Sequence, residues 1–137
     1  MAQLIYATNL SLDGYIEDTD GKFDWTEPDA QLFRFITDLE RAAGTYLYGR
    51  RLYETMMAWE TDPNLAAGSA RERDFAEMWQ AADKIVYSTT LEAASTRKTR
   101  IERAFDPEAV RQLKETARDD ILIGGANLAA HAFRAGL

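Results

Sequence analysis

Four short apolar segments, each followed at once by a polar or glycine-bearing turn, constrain the fold of this chain most. They are Leu4 to Leu10 (LIYATNL), Thr45 to Tyr48 (TYLY), Lys84 to Tyr87 (KIVY) and Ile121 to Ile123 (ILI). Apolar runs of this length, bounded by turn residues, predict buried β-strands. A fifth segment, Thr99 to Arg103, predicts a short edge strand with a single large apolar residue.

The segments between these strands have the spacing and start signals of helices. Pro28 and Asp106-Pro107 suit first helical turns, and Ser69 with Glu72 three residues later forms a capping-box pattern. The last helix is expected to run through Ala135. Because strands alternate with helices, we predict an α/β fold with a mostly parallel central sheet and helices on both faces. The length of 137 residues predicts a single domain, residues 1–137.

Composition excludes several function classes. The 16 Lys+Arg against 23 Asp+Glu give a net charge of -7, which argues against a nucleic-acid partner. Without cysteine and with His131 as the one histidine, no thiolate or multi-histidine metal site is expected. No apolar run reaches the roughly 20 residues that span a membrane, and the N-terminus lacks the pattern of a signal peptide. We therefore expect a cytoplasmic protein without a membrane partner.

Four turns follow the strands and are candidates for ligand binding. In parallel sheets ligands lie at the carboxyl ends of the strands. Those ends carry Ser11-Leu12-Asp13-Gly14, Gly49-Arg50-Arg51, Ser88-Thr89-Thr90 and Gly124-Gly125-Ala126-Asn127. Three of these turns contain glycine, one of the three is also basic, and the fourth is rich in hydroxyls. This combination predicts an anionic, phosphate-containing ligand.

Each turn also has a purely structural interpretation. Gly124-Gly125 lets backbone N–H groups approach a pyrophosphate, but it equally suits a tight turn with positive φ. Arg50-Arg51 can bind phosphate in bidentate geometry, or can be a solvated pair. Ser88-Thr89-Thr90 can donate hydroxyls to a ribose or its phosphate, but such residues also cap helices and form turns.

Two residues of the long first loop are candidates for contact with a substrate. Asp13 could orient a substrate hydroxyl or amine, or relay a proton, although Asp-Gly is also a common turn. Trp25 stands at the end of the loop, where it could cover a flat ligand. Asp29 and Glu27 precede a helix and are interpreted as capping residues, and His131 is interpreted as a packing or surface residue.

Four of these segments, taken together, resemble a known family. They are Asn9 to Ile16 (NLSLDGYI), Tyr48 to Glu54 (YGRRLYE), Lys84 to Leu91 (KIVYSTTL) and Ile121 to Leu128 (ILIGGANL). In this order and at this spacing they resemble the dihydrofolate reductase-like superfamily. The similarity is closer to the branch that contains the riboflavin-biosynthesis reductase (RibD C-terminal) domain. The resemblance covers nearly the whole chain and implies that family's three-layer fold.

The resemblance implies an NADPH-dependent reductase that transfers hydride to a C=N or C=O of a small pterin- or pyrimidine-like substrate. It places Asp13 beside the substrate and implies a cis peptide bond between Gly124 and Gly125. An alternative is a non-catalytic nucleotide-binding or self-associating remnant of the fold. The cofactor-binding positions implied are Gly49, Arg50, Arg51, Ser88, Thr89, Gly124, Gly125, Ala126 and Asn127.

Two departures from the family pattern carry expectations of their own. Members commonly have Thr where this chain has Leu52, which removes a hydroxyl ligand for the phosphates. Relatives continue for several tens of residues beyond the position of Leu137, so the last strands of the family's sheet are expected to be missing. The first strand would then lie at an open edge, and we expect a homodimer or larger homo-oligomer.

Overall fold

A computed structural model describes residues 1–137 and contains one five-stranded sheet. The strand order is β1-β5-β2-β3-β4, and every neighbouring pair is parallel. The predicted parallel sheet is therefore confirmed. The strands are β1 (Leu4–Tyr6), β2 (Ala43–Gly49), β3 (Asp83–Tyr87), β4 (Thr99–Glu102) and β5 (Asp120–Gly124).

Helices connect the strands, and two of the three predicted start signals are confirmed; the exception is Pro28, which precedes the N-cap Asp29 and lies outside the first turn of its helix. Asp29 and Asp106 each accept a hydrogen bond from a first-turn backbone N–H, and Ser69 forms a reciprocal capping box with Glu72. A 3-10 turn at Asp24–Thr26 closes the first long loop. The helices are α1 (Ala30–Arg41), α2 (Arg50–Met56), α3 (Ala58–Thr61), α4 (Pro63–Ala66), α5 (Ala70–Ala81), α6 (Pro107–Thr116) and α7 (Ala126–Arg134).

Helices cover both faces of the sheet, because alternate side chains of each strand enter different cores. On one face Tyr46 and Tyr48 of β2 pack against Trp79 of α5. On the other face Leu47 packs in a cluster that includes Val110 of α6 and Leu128 and Ala132 of α7. The three-layer arrangement predicted from the sequence is confirmed.

Some element boundaries differ from those predicted. β1 ends at Tyr6 instead of Leu10, because it borders only β5, whose paired register with β1 ends at Ile123. Gly44, a residue type that often terminates a helix, lies inside β2 and not at the end of α1. The pattern of residues from Leu52 to Trp59 predicts one helix, but the structure divides this segment between α2 and α3.

The chain has neither a helix suited to a bilayer nor a cluster of metal ligands. None of its helices has both the length and the apolar character needed to cross a membrane. No three Asp, Glu or His side chains converge as a metal ion would require.

Candidate functional site

The two glycine turns meet at the carboxyl ends of the adjoining strands β2 and β5. In the sheet register Tyr48 pairs with Gly124, so the strands β2 and β5 end at the same level of the sheet. A Cβ placed on Gly125 would lie 3.6 Å from the Gly49 backbone nitrogen, whereas one placed on Gly49 would meet no atom within 4 Å. We call the backbone of Gly49 and Gly125, with the open space beside it, the glycine cradle.

The neighbouring glycines Gly124 and Gly125 serve different purposes. A Cβ on Gly124 would collide with Cδ2 of Leu52, so the lack of a side chain at this position allows α2 to pack closely against β5. Gly125 has a φ of +99°, which side-chain-bearing residues rarely adopt. The expected cis bond between the two is wrong, since every peptide bond in the chain is trans. The chain changes direction here through the positive φ of Gly125.

Unpaired backbone donors surround the cradle. Gly125 caps α7 without any side-chain hydrogen bond, and Gly49 does the same for α2. The first N–H groups of a helix have no acceptor within the helix. Ala126 and Asn127, which open α7, are exposed, so their N–H groups and the positive end of the α7 dipole are available to an anion.

Arg50 joins the cradle to the turn that follows β3. Its Nε donates to Oε1 of Glu54 at 2.8 Å, and its Nη1 donates to Oγ1 of Thr90 at 2.6 Å. These two bonds leave Nη2 without a protein partner and hold the guanidinium at the start of α2. Glu54 holds Arg50 in place, and no single motif pointed to this role, although Glu54 closes the YGRRLYE segment.

The hydroxyl of Ser88 stabilises the turn that follows β3, which is the structural one of its two interpretations. Its Oγ accepts hydrogen bonds from the backbone N–H groups of Thr90 at 3.3 Å and Leu91 at 3.0 Å. Arg103 Nη1 braces the same turn by donating to the carbonyls of Ser88 at 3.0 Å and Leu91 at 2.6 Å. Thr89 is exposed at the tip. No sequence motif pointed to Arg103.

The first long loop is tied to α2 through Arg51. Arg51 Nη2 donates to Oε2 of Glu17 at 3.2 Å. Gly21, with a φ of +73°, lies so close that an added Cβ would come within 2.8 Å of the same nitrogen. The loop that follows β1 is therefore fastened next to the start of α2, and neither Glu17 nor Gly21 was a sequence candidate.

Asp13 and Trp25 lie outside this hydrogen-bond network. Asp13 is exposed, and its Oδ1 accepts a hydrogen bond from Oγ of Ser11 at 2.7 Å. The same Ser11 hydroxyl accepts from the backbone N–H of Tyr15 at 2.9 Å, which makes this part of the loop a compact turn. Trp25 is 50% exposed, and it forms no hydrogen bond with a cradle residue.

Tyr87, which immediately precedes Ser88, has a perturbed pKa. Burial, followed by the carboxylate of Glu102, raises the pKa of Tyr87 to about 12. Its ring packs against Phe105 with the centroids 5.4 Å apart. Tyr87 therefore stays neutral near pH 7 and does not accept protons there.

Two of the solved structures that share this fold illustrate the similarity. One is a diaminohydroxyphosphoribosylaminopyrimidine deaminase/5-amino-6-(5-phosphoribosylamino)uracil reductase from Thermotoga maritima, with a TM-score of 0.56 and 18% identity. The match covers 96% of this chain but only 42% of the larger protein. The other, a proposed riboflavin biosynthesis protein from Shewanella sp. PV-4, has a TM-score of 0.58 and 18% identity. It is matched over 94% of this chain and 67% of its own length.

No curated protein matches the chain. The sequence does match the RibD C-terminal domain over residues 2–137, nearly its full length. That range contains all four segments that carried the resemblance, including both turns of the glycine cradle. The chain belongs to the RibD C-terminal domain family.

Proposed function

We propose that this chain is a reductase that binds NADPH at the glycine cradle and reduces a C=N or C=O bond of a small pterin- or pyrimidine-like substrate. The observation that carries the proposal is the meeting of Gly49 and Gly125 at the open start of α7. The T. maritima relative, whose description includes a uracil reductase, supplies the reaction class.

The residues of the cradle fit a diphosphate. Phosphate oxygens need hydrogen-bond donors that can be approached closely, and glycine leaves the backbone N–H groups uncovered. The open space beside Gly49 and the uncapped N–H groups of Ala126 and Asn127 meet this requirement. Arg50 adds a guanidinium with a free nitrogen.

The basic turn and the turn after β3 fit the extra phosphate of NADPH. Arg50 is bonded to Thr90, so its charge lies beside the exposed Thr89 and the braced backbone of Ser88. In our proposal Ser88 helps to bind the extra phosphate of NADPH by shaping this turn, and Arg50 binds the same phosphate through its guanidinium. Arg51 is bonded to Glu17 and holds the first loop next to α2.

The chain's own residues act by binding and positioning. When bound, a reduced nicotinamide supplies the hydride, and the protein supplies orientation and polarity. The loop after β1 is anchored through Glu17 and Arg51, which places Asp13 and Trp25 on the segment that would close over a substrate. We assign to Asp13 the binding of a substrate hydroxyl or amine. We assign to Trp25 the packing against the face of the substrate's ring.

The binding step is tested by titrating the protein with NADPH and following the fluorescence of its three tryptophans. Saturable quenching is expected for the unmodified chain. Gly125→Val should abolish it, because a branched side chain fills the cradle and opposes the φ of +99°. Gly136→Val is the matched control, since Gly136 also has a positive φ, +67°, but meets no atom within 4 Å. Normal binding by Gly125→Val would show that the turn is only structural.

The preference for the phosphorylated cofactor is tested by comparing NADPH with NADH. A charge-assisted hydrogen bond contributes about 1.5–3 kcal/mol, so NADPH should bind at least about tenfold more tightly. Arg50→Met should remove most of that difference, because it weakens the binding of NADPH more than the binding of NADH. Equal affinity of the unmodified chain for both cofactors would contradict this assignment.

One observation favours the alternative of nucleotide binding without catalysis. Asp13, the one candidate for proton transfer, is paired with Ser11 and has no hydrogen bond to the cradle. The two functions are separated by following NADPH absorbance after a pyrimidine or pterin substrate is added. Oxidation that Gly125→Val abolishes supports the reductase. Tight binding without oxidation supports the alternative.

A further inference from the structure

The hydroxyl of Tyr53 is buried and bonds to a segment that is distant in the chain. Tyr53 lies in α2, and only 1% of its surface is exposed. Its Oη accepts a hydrogen bond from the backbone N–H of Ser95 at 2.9 Å and lies 3.0 Å from Oγ1 of Thr96. These partners are 42 and 43 residues later in the chain. The roles given above to Arg50 and Arg51 of the same helix do not explain this hydroxyl.

Two threonines continue the hydrogen-bond chain and fix its direction. Oγ1 of Thr99 donates to the carbonyl of Arg97 at 2.8 Å, which uses the one hydrogen of that hydroxyl. Since Thr99 can then only accept from Oγ1 of Thr96, 2.7 Å away, Thr96 donates to Thr99. By the same count of hydrogens Tyr53 donates to Thr96. A phenylalanine at position 53 would therefore leave both Ser95 N–H and Thr96 without these partners.

The segment that Tyr53 holds, residues 88–98, connects β3 to β4 and contains no helix or strand of its own. We call it the β3–β4 segment. It begins with the turn to which we assigned the extra phosphate of NADPH. Two residues of α2 bond to it, since Arg50 Nη1 donates to Oγ1 of Thr90 and Tyr53 bonds to Ser95 and Thr96. Because Arg50 and Tyr53 are three residues apart, they lie on one face of the helix.

Of these two anchors, Tyr53 is the stronger. The bond from Arg50 to Thr90 is exposed to water, whereas the bond from Tyr53 to Thr96 is buried, and a hydrogen bond is stronger where water is excluded. Arg103 also braces the turn, but it comes from the loop after β4. The hydrogen bonds of Arg50 and Tyr53 are the ones that join the β3–β4 segment to the helix beginning at the glycine cradle.

We propose, on the basis of the proposed function, that Tyr53 is a positioning residue for the selective binding of NADPH. Its hydroxyl holds the β3–β4 segment against α2 and so keeps the turn at its start beside the guanidinium of Arg50. Tyr53 does not touch the cofactor and acts through the segment. Without the hydroxyl, the arrangement that binds the extra phosphate is populated for less of the time, and the apparent dissociation constant of NADPH rises accordingly. NADH lacks this phosphate and depends less on the arrangement.

The binding test compares NADPH with NADH for the unmodified chain and for Tyr53→Phe. We expect Tyr53→Phe to lower the preference for NADPH about fivefold or more. Tyr48→Phe is the matched control, because Tyr48 is also buried and its hydroxyl accepts a hydrogen bond from Nε1 of Trp79 at 3.0 Å, away from the β3–β4 segment. Tyr48→Phe should lose stability in urea unfolding but keep the preference. An equal loss of preference in both variants would overturn the proposal.

Thr96→Val tests the hydrogen-bond chain without changing Tyr53. This variant removes the acceptor of the Tyr53 hydroxyl, so it should also lower the preference for NADPH. Because both substitutions break the same chain, the double variant Tyr53→Phe/Thr96→Val should lose less preference than the sum of the two single losses. Fully additive losses would mean that the two hydroxyls act independently, which contradicts the proposal.

Amide hydrogen exchange without cofactor measures the positioning directly. The N–H groups of Thr90 and Leu91, which bond to the Ser88 hydroxyl, should exchange faster in Tyr53→Phe than in the unmodified chain or in Tyr48→Phe. Faster exchange confined to Ser95 would show that the hydroxyl does not control the turn, and would overturn the proposal.

The same titrations separate this inference from the proposed function. An unmodified chain that binds NADPH no more tightly than NADH overturns the phosphate assignment, and the role of Tyr53 with it. A preference that is present in the unmodified chain and undiminished in Tyr53→Phe overturns the role of Tyr53 alone.

Discussion

Replacing Glu40 with glutamine should stabilise the protein at neutral and alkaline pH. Glu40 lies in the last turn of α1, and its Oε2 is buried without a hydrogen-bond partner. Burial raises the pKa of Glu40 from 4.5 to about 7. The hydroxyl of Tyr46 is also buried and unpaired, and burial together with the Glu40 carboxylate raises the pKa of Tyr46. The folded protein therefore disfavours a negative charge at this position.

The sign and size of the effect follow from proton linkage. Because the pKa of Glu40 is raised in the folded state, the folded chain binds more protons than the unfolded chain between pH 4.5 and about pH 7. The contribution of Glu40 to stability is therefore fully present below about pH 4.5 and is lost as the pH rises through about 7. A shift of about 2.5 units at about 1.4 kcal/mol per unit corresponds to about 3 kcal/mol.

The assay is urea unfolding of both proteins at several values between about pH 5 and about pH 8. Glu40→Gln should gain up to about 3 kcal/mol over the unmodified chain across this range. Glu77→Gln is the matched control, because Glu77 is an exposed helical glutamate without an ion pair. A difference between Glu40→Gln and the unmodified chain that does not change with pH would refute the reasoning.

Three further predictions concern stability. Gly124→Ala should destabilise the protein by about 1–3 kcal/mol in urea unfolding, because its methyl group would collide with Leu52. Ser69→Ala should cost about 1 kcal/mol in the same assay, since it removes the cap of α5. Lys84 is buried, and its Nζ donates to the carbonyl of Trp79 at 3.0 Å. Burial lowers the pKa of Lys84 to about 8, so stability should rise as the pH passes from about 8 towards 10, and Lys84→Met should lose this rise.

The sequence alone predicts the elements and their alternation, because these depend on residues close together in the chain. The apolar runs give β2, β3 and β5, and the Ser69–Glu72 capping box marks the start of α5 in the structure. The glycines at 49 and 125 could be recognised as candidates for the same reason, since each stands directly between a strand and a helix. The order and spacing of the four segments along the chain were sufficient for the family resemblance as well.

Contacts between distant segments depend on the tertiary structure. Only the packing of α2 against β5 distinguishes Gly124, which makes room for Leu52, from Gly125, which adopts a positive φ. Arg103 braces a turn 15 residues earlier in the chain, and Arg51 bonds Glu17, 34 residues away. Neither pair has a spacing that a local pattern could reveal.

The position of β1 within the sheet also depends on the tertiary structure. The apolar character of β1 follows from its sequence, but its position at the edge beside β5 is a property of the assembled sheet. The alternation of backbone groups along the strand joins Gln3 to β5 and turns those of Leu4 and Tyr6 away from it. The sequence therefore determined that this segment is an uncharged strand. The tertiary structure decided which of its residues bond to β5, because strand neighbours are chosen by the packing of segments more than a hundred residues apart.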